Sequence, residues 1–395
     1  MYEALEPRSR QFRYFFLEPD LEVTRIRGTL RIFKPLKGVP LNVKVPQPKF
    51  EALSYEWGDP DKPRHEIIVD GRPFEIRENL FYALKCLRPI PLRDNRNPRI
   101  LWIDAICINQ DDVVERNHQV GMMGDIYRKA DKVLVWISSV RYTATFDLLA
   151  KLVVSSTTIE YHSLTKSGSD QENNLPSHGL DLDTSLEFGQ LDLKPEQEGQ
   201  HDWDPWDEVW EGLSTTPRSA WEGFAELMEK TYWTRIWIVQ EYLLAKNIMI
   251  HCGLDSIDGG DLEKVLVKTL EFKQERHDNF PAYISQSIER IKNSGGIRII
   301  ERRRDKIGRN LADLLETTKS SMCHDPHDRI YGILGLANDL PQGRIPIDYQ
   351  RSIFKVKMDV AWHFQQSLKS KANQPYVSQI CSHLDEIFVN CPDSE

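Results

Sequence analysis

Two blocks of the sequence hold the residue types best suited to chemistry. In Ser54-Tyr55-Glu56-Trp57-Gly58-Asp59, two hydroxyls, an indole and a glycine follow directly on an apolar run. Ser54 and Tyr55 offer hydroxyls, Trp57 a stacking plane, and Gly58 a close approach of backbone to a ligand. In Arg235-Ile236-Trp237-Ile238-Val239-Gln240-Glu241, Trp237 and Glu241 stand four residues apart. On a helix they share a face, which puts an aromatic wall and a carboxylate at one mouth. Asp104 and Asn109, at and beyond the end of another apolar run, would sit on the same rim. Each of these residues also has a structural use. Glu241 can pair with Arg235 or cap a helix, and Trp237 can be core. Asp104 can fix a sheet-end loop, and Asn109 or Trp57-Gly58-Asp59-Pro60 can simply form turns.

Other chemistries lack their patterns. There is no P-loop, no G-x-G-x-x-G and no G-x-S-x-G. Cys323-His324-Asp325-Pro326-His327-Asp328 has metal-binding residue types without zinc spacings, and Asp325-Pro326 suits a helix start. Cys107 and His118 read as core packing.

The elements that must position these residues follow from periodicity. Phe50–Tyr55, Ile100–Ile106 and Val133–Ile137 are apolar runs of strand length, expected as neighbouring parallel strands. Ile67-Ile68-Val69, Asp70-Gly71 and Phe74-Glu75-Ile76 spell a hairpin with a tight turn. Asn79 is placed to cap a helix carrying Leu80, Ala83, Leu84 and Leu87. Residues 111–130 repeat apolar positions at the helical period. Residues 22–49 would hold a small strand pair, and Trp233–Ala245 a helix before a strand at Ile248–Cys252. Strand, helix, strand at this spacing predicts an α/β fold with a parallel sheet, followed by a helical C-terminal region.

Composition sets bounds. The chain has 395 residues, 40% hydrophobic and 28% charged, enough for a sizeable core. Its net charge of -9 does not suit a phosphate backbone, so no nucleic-acid partner is expected. No apolar run approaches the roughly 20 residues that span a bilayer, and Met1–Arg10 does not read as a secretory signal. Six scattered cysteines without a C-x-x-C pair fit free thiols in a reducing compartment. Between Glu160 and Glu211 lie fourteen acids and two bases, so the stretch at about 156–212 is expected to be a mobile acidic insertion. The end, Asn390-Cys391-Pro392, lacks an obvious terminal element and suggests a piece or short form of a longer protein.

Several segments together resemble the fungal heterokaryon-incompatibility (HET) family. They are Leu53–Asp59, then Asn79-Leu80 with Ala83-Leu84, then Leu101-Trp102-Ile103-Asp104-Ala105-Ile106-Cys107-Ile108-Asn109-Gln110. Val133-Leu134-Val135-Trp136 and Trp233–Glu241 follow, and Asp328–Ala337 resembles a block seen beyond the domain. The resemblance divides the chain into an N-terminal extension (1–49), a HET domain (50–252) and a helical C-terminal region (253–395).

It implies a trigger of cell death when incompatible fungal cells fuse, acting in the cytoplasm. The HET domain also looks distantly like a Toll/interleukin-1 receptor (TIR) domain, with a flavodoxin-like parallel sheet. Several TIR domains hydrolyse NAD at the nicotinamide–ribose bond. By that likeness NAD is a substrate rather than a cofactor, no metal is implied, and Glu241 is the candidate catalytic carboxylate. Ser54, Tyr55, Trp57, Gly58, Asp104, Asn109 and Trp237 would line the pocket, and Arg235 would meet the pyrophosphate. The alternative is a non-enzymatic signalling module that self-associates or binds an incompatibility partner.

Overall fold

The structure is a computed structural model that describes residues 2–6, 9–20, 25–33, 48–90, 97–167, 205–272, 280–305, 310–340, 345–367 and 374–388. The first strands, β1 (Phe12–Leu17) and β2 (Arg27–Phe33), pair antiparallel. They come from the segment read as an extension, yet β1 also pairs with a strand of the motif region and so belongs to the main sheet. β3 (Glu51–Tyr55) is almost wholly buried. The hairpin is β4 (Arg64–Val69) with β5 (Arg72–Arg77), and its turn takes positive φ at Asp70 and Gly71, as a tight primed turn requires.

α1 (Glu78–Leu87) buries Leu80, Ala83, Leu84 and Leu87 as the period predicts. Asn79 is not its cap: the helix starts from Arg77, and Asn79 is already inside the first turn. β6 (Arg99–Trp102) stops earlier than its apolar run. From Asp104 the chain turns into α2 (Asp104–Cys107), because Ile106 and Cys107 donate their amides to the Ile103 carbonyl and Asp104 accepts from Ala105. α3 (Val113–Lys129) starts from Asp112, whose carboxylate accepts from Val114 and Glu115. β7 (Lys132–Ser138) follows.

α4 (Thr143–Ser167) and α5 (Pro205–Leu213) occupy both ends of the expected acidic insertion. Trp206 and Trp210 of α5 are buried, so this end belongs to the core. Residues 168–204, for which mobility was expected, lie outside the described residues. α6 (Arg218–Glu229) follows Pro217 and buries Trp221, Phe224, Leu227 and Met228. The expected helix over Trp233–Ala245 is broken. A 3₁₀ turn (Thr231–Thr234) leads to an extended Arg235, and only then does α7 (Ile236–Leu243) begin. β8 (Ile248–Cys252), β9 (Asp255–Asp258) and α8 (Gly259–Glu271) complete this part.

The nine strands run in the order β5-β4-β2-β1-β6-β3-β7-β8-β9. The β6-β3-β7-β8 centre is parallel, with Leu53 opposite Leu134 and Ser54 opposite Val135. β1 runs antiparallel to both its neighbours, and β9 to β8. The α/β class stands, with a sheet that is mixed rather than all-parallel. Its edges carry blunting residues: Arg72, Pro73 and Glu75 on β5, Asp255 and Asp258 on β9. One buried ion pair staples β1 to the start of α3. Arg13, 1% exposed, donates to both Glu115 oxygens at 2.6 and 2.9 Å and to the Cys107 carbonyl at 3.1 Å.

The C-terminal region is helical as expected: α9 (Ala282–Lys292), α10 (Gly295–Asp305), α11 (Leu311–Thr318), α12 (Asp328–Leu334), α13 (Ile353–Ser367) and α14 (Gln374–Phe388). α12 lies against α7. The Gly335 amide after it donates to the Gln240 side-chain oxygen at 3.1 Å. A Cβ on Gly335 would fall on that Gln240 amide and lie 3.3 Å from the Gly124 Cα. Gly335→Ala is therefore expected to lower stability by about 1–3 kcal/mol, read from denaturant midpoints. An unchanged midpoint would mean that α12 shifts freely. Among the described residues, no helix is long and apolar enough to cross a membrane.

Candidate functional site

Ser54 lies next to last in β3, at the carboxyl end of the parallel centre, where α/β sheets open toward ligands. It is fully buried. Its hydroxyl donates to Glu241 Oε2 and lies 2.6 Å from the Tyr232 hydroxyl. A serine has one proton, so Tyr232 donates to Ser54 and Ser54 to Glu241, a relay pointed at the carboxylate. Glu241 comes from α7, one turn after Trp237. It is 4% exposed. Burial, with the Asp104 charge adding, pushes its carboxyl up to about 7. Arg235 and the Ser54 and Tyr127 hydroxyls pull the other way. Tyr127 donates to the Leu53 carbonyl at 3.0 Å, which ties α3 to β3 behind the site.

Asp104 opens α2 and is half-buried. It accepts from the Trp57 indole at 2.7 Å and from the Ala105 amide at 2.7 Å, and Tyr55 also hydrogen-bonds it. Burial raises its carboxyl above the usual value against these donors. Arg235 donates to the Tyr55 carbonyl. Its charge is felt by Glu241, Asp104 and Asp328, yet among the described residues it forms no ion pair within 4 Å. The two strands of backbone at Arg235 and Met322 form a bridge, with the Ile236 amide on the Met322 carbonyl at 2.9 Å. Trp237 is half-buried and faces Asp328, which also accepts from Tyr349 at 2.7 Å.

The structure thus links Ser54, Tyr55, Trp57, Asp104, Arg235 and Glu241, while Trp237 faces Asp328. Gly58 stands exposed at the edge, where its carbonyl accepts from Arg77 at 2.8 Å. The backbone of Asn109 closes the loop into α3: its N–H donates to Glu115 at 2.7 Å and its carbonyl accepts from the Asp112 N–H. Arg235 is drawn inward to a backbone carbonyl rather than outward. Glu241 is 4% exposed and accepts a hydrogen bond from Ser54; among the described residues it forms no ion pair within 4 Å.

Sequence reasoning missed three contributors. Tyr232 and Tyr127 hid in apolar segments, where their hydroxyls were the signal. Asn79, taken for a cap, donates to the Glu56 carbonyl at 2.6 Å and accepts from the Trp136 indole at 2.9 Å. It thereby pins the Trp57 loop to the sheet. Cys107 is buried, and burial pushes its thiol up to about 12, as core packing predicts.

Residues 50–241 match the family described as Heterokaryon incompatibility protein (HET). Over this stretch, just under half of the chain, the sequence is similar to the HET family. Over 337 residues it is 28% identical to heterokaryon incompatibility protein 6, OR allele, of Neurospora crassa. That match takes in 78% of this chain and 45% of the relative, so the chain spans less than half of the relative's length. No solved structure matches.

Proposed function

We propose that this chain is a heterokaryon-incompatibility effector that acts in the cytoplasm and kills by hydrolysing NAD, or a related nucleotide, at the nicotinamide–ribose bond. The observation that carries this reading is Glu241. It is a buried carboxyl raised to about 7, held by a serine at the carboxyl end of the sheet's parallel centre. Such tuning suits a group that must be ionised at one step and protonated at another. When the bond between ribose C1′ and the ring nitrogen breaks, the electron pair leaves with nicotinamide, which departs neutral. C1′ becomes oxocarbenium-like, and ionised Glu241 stabilises that charge. Water then adds to C1′, and Glu241 takes its proton. With Glu241 only 4% exposed, substrate reaches it only when the residues around it part. A TIR-like outline is part of the same proposal.

A second reading, signalling by self-association or by binding an incompatibility partner, is favoured by one observation. Phe354, Met358 and Trp362 form an exposed stripe at helical spacing on α13, 52–62% exposed. One experiment separates the two. Purified chain with NAD should release nicotinamide, and folded Glu241→Ala should release none. Release that survives in Glu241→Ala, or is absent from the unaltered chain, sinks the hydrolase. Cell death that persists in Glu241→Ala and disappears in Trp362→Glu would establish the second reading.

A further inference from the structure

We infer that Ser54 and Tyr232 are positioning residues for Glu241, forming a one-way hydrogen-bond relay that keeps its carboxylate ionised inside an enclosed site. For its use this rests on the hydrolase reading, which it deepens by naming what readies the charge; the relay itself is measured without substrate.

The relay joins three elements: Ser54 from β3, Tyr232 from the 3₁₀ turn and Glu241 from α7. All three side chains are buried, Tyr232 to 1% exposure, so their polar atoms depend on one another. A hydroxyl both donates and accepts, so two directions are open in principle. In the forward one, Tyr232 donates to Ser54 at 2.6 Å and Ser54 donates to Oε2 of ionised Glu241. Every proton then ends on an acceptor. In the reverse one, protonated Glu241 donates to Ser54 and Ser54 to Tyr232. The Tyr232 hydroxyl would then need an acceptor of its own, and among the described residues Ser54 is its one hydrogen-bond partner. A buried phenol proton without an acceptor is costly. Only the forward direction is satisfied, and it serves the carboxylate. When Glu241 is protonated, its proton therefore lies on Oε1 while Oε2 still accepts from Ser54.

The surroundings fit this role. Burial works against an ionised Glu241, with the Asp104 charge adding to it; Arg235 and the Ser54 and Tyr127 hydroxyls oppose them. Arg235 is turned to the Tyr55 carbonyl, and among the described residues Glu241 forms no ion pair within 4 Å. A bound cation would cancel the charge that a positive C1′ requires, whereas neutral donors steady the carboxylate and leave its charge in place. Tyr232 also faces Tyr242 and Arg235. Burial, and then the Glu241 charge, push its hydroxyl well above the usual range, so it donates a hydrogen bond and keeps its proton. Hydrogen bonds in a chain polarise one another, so Tyr232 makes Ser54 the better donor.

The test is a carbon-13 NMR titration of the full chain labelled at its glutamate side chains, with the Glu241 signal identified by its absence from Glu241→Gln. Removing a donor to the ionised form raises the midpoint. Ser54→Ala should raise the proton affinity of Glu241 about tenfold, and Tyr232→Phe, which keeps the ring and loses the hydroxyl, about threefold. Tyr232 acts through Ser54, so adding Tyr232→Phe to Ser54→Ala should move the midpoint no further, whereas independent residues would add their effects. An unmoved midpoint in folded Tyr232→Phe overturns the inference, and so do additive shifts. If Ser54→Ala fails to fold, the Tyr232→Phe midpoint decides alone. Nicotinamide release from NAD is followed on the same samples. Release by the unaltered chain with unmoved midpoints sinks this inference alone; midpoints that move as stated without any release sink the hydrolase reading alone.

Discussion

Glu241→Gln is expected to make the protein more stable at pH 8, by about 3 kcal/mol, while removing its proposed activity. The unfolded chain holds this carboxyl near 4.5, and the folded chain raises it to about 7. At roughly 1.4 kcal/mol per pH unit, that displacement corresponds to about 3 kcal/mol. A raised carboxyl favours the protonated form, so the stability is fully present below 4.5. It is lost as pH rises toward 7, because the folded protein must then enclose a bare charge. Glutamine cannot ionise and still accepts from Ser54. Urea midpoints should coincide for the two proteins near pH 4.5 and separate by pH 8, with Glu241→Gln the higher. A variant less stable than its parent at pH 8 would show that the ionised carboxylate holds the site together rather than straining it.

The opposite outcome is expected at the Arg13–Glu115 pair. Glu115 also accepts the Asn109 amide at 2.7 Å, so this one ion pair fixes β1, the loop after α2 and the start of α3 together. Arg13→Ala leaves a carboxylate at 9% exposure without its cation, and should cost about 3–5 kcal/mol. Replacing both partners by methionine removes the stranded charge and should cost less than the single change. The double-mutant cycle decides it: if the double variant loses the sum of the two single losses, the pair carries no coupling.

These two residues also mark where sequence is legible. The apolar runs at β3, β7 and β8 and the hairpin turn are read directly, because sheet burial and primed turns leave strong residue patterns. β1 is harder, since its second residue is a buried arginine, which pattern rules assign to solvent. The end of β6 is set by local contests between Asp104, Ile103 and Cys107 that hydrophobicity does not register. At the site, the motif residues Ser54, Trp57, Asp104 and Glu241 were found by type and spacing. What sequence could not give was direction: that Arg235 turns to a carbonyl, that Asn79 bridges two elements, and that Tyr232 and Tyr127 bring hydroxyls from across the fold. Those depend on pairs 23 to 187 residues apart.

The strand order carries a practical corollary for anyone cutting the gene. The motif region begins at residue 50 and ends at 241, whereas β1 and β2 precede it and β8 and β9 follow it. A fragment trimmed to those limits would leave β6 without β1 and β7 without β8, two raw apolar borders in place of the short guarded ones at β5 and β9. It would also lose the α12 surface on which Gln240 rests. The stretch that matches the family and the stretch that completes the sheet are therefore different pieces of this chain.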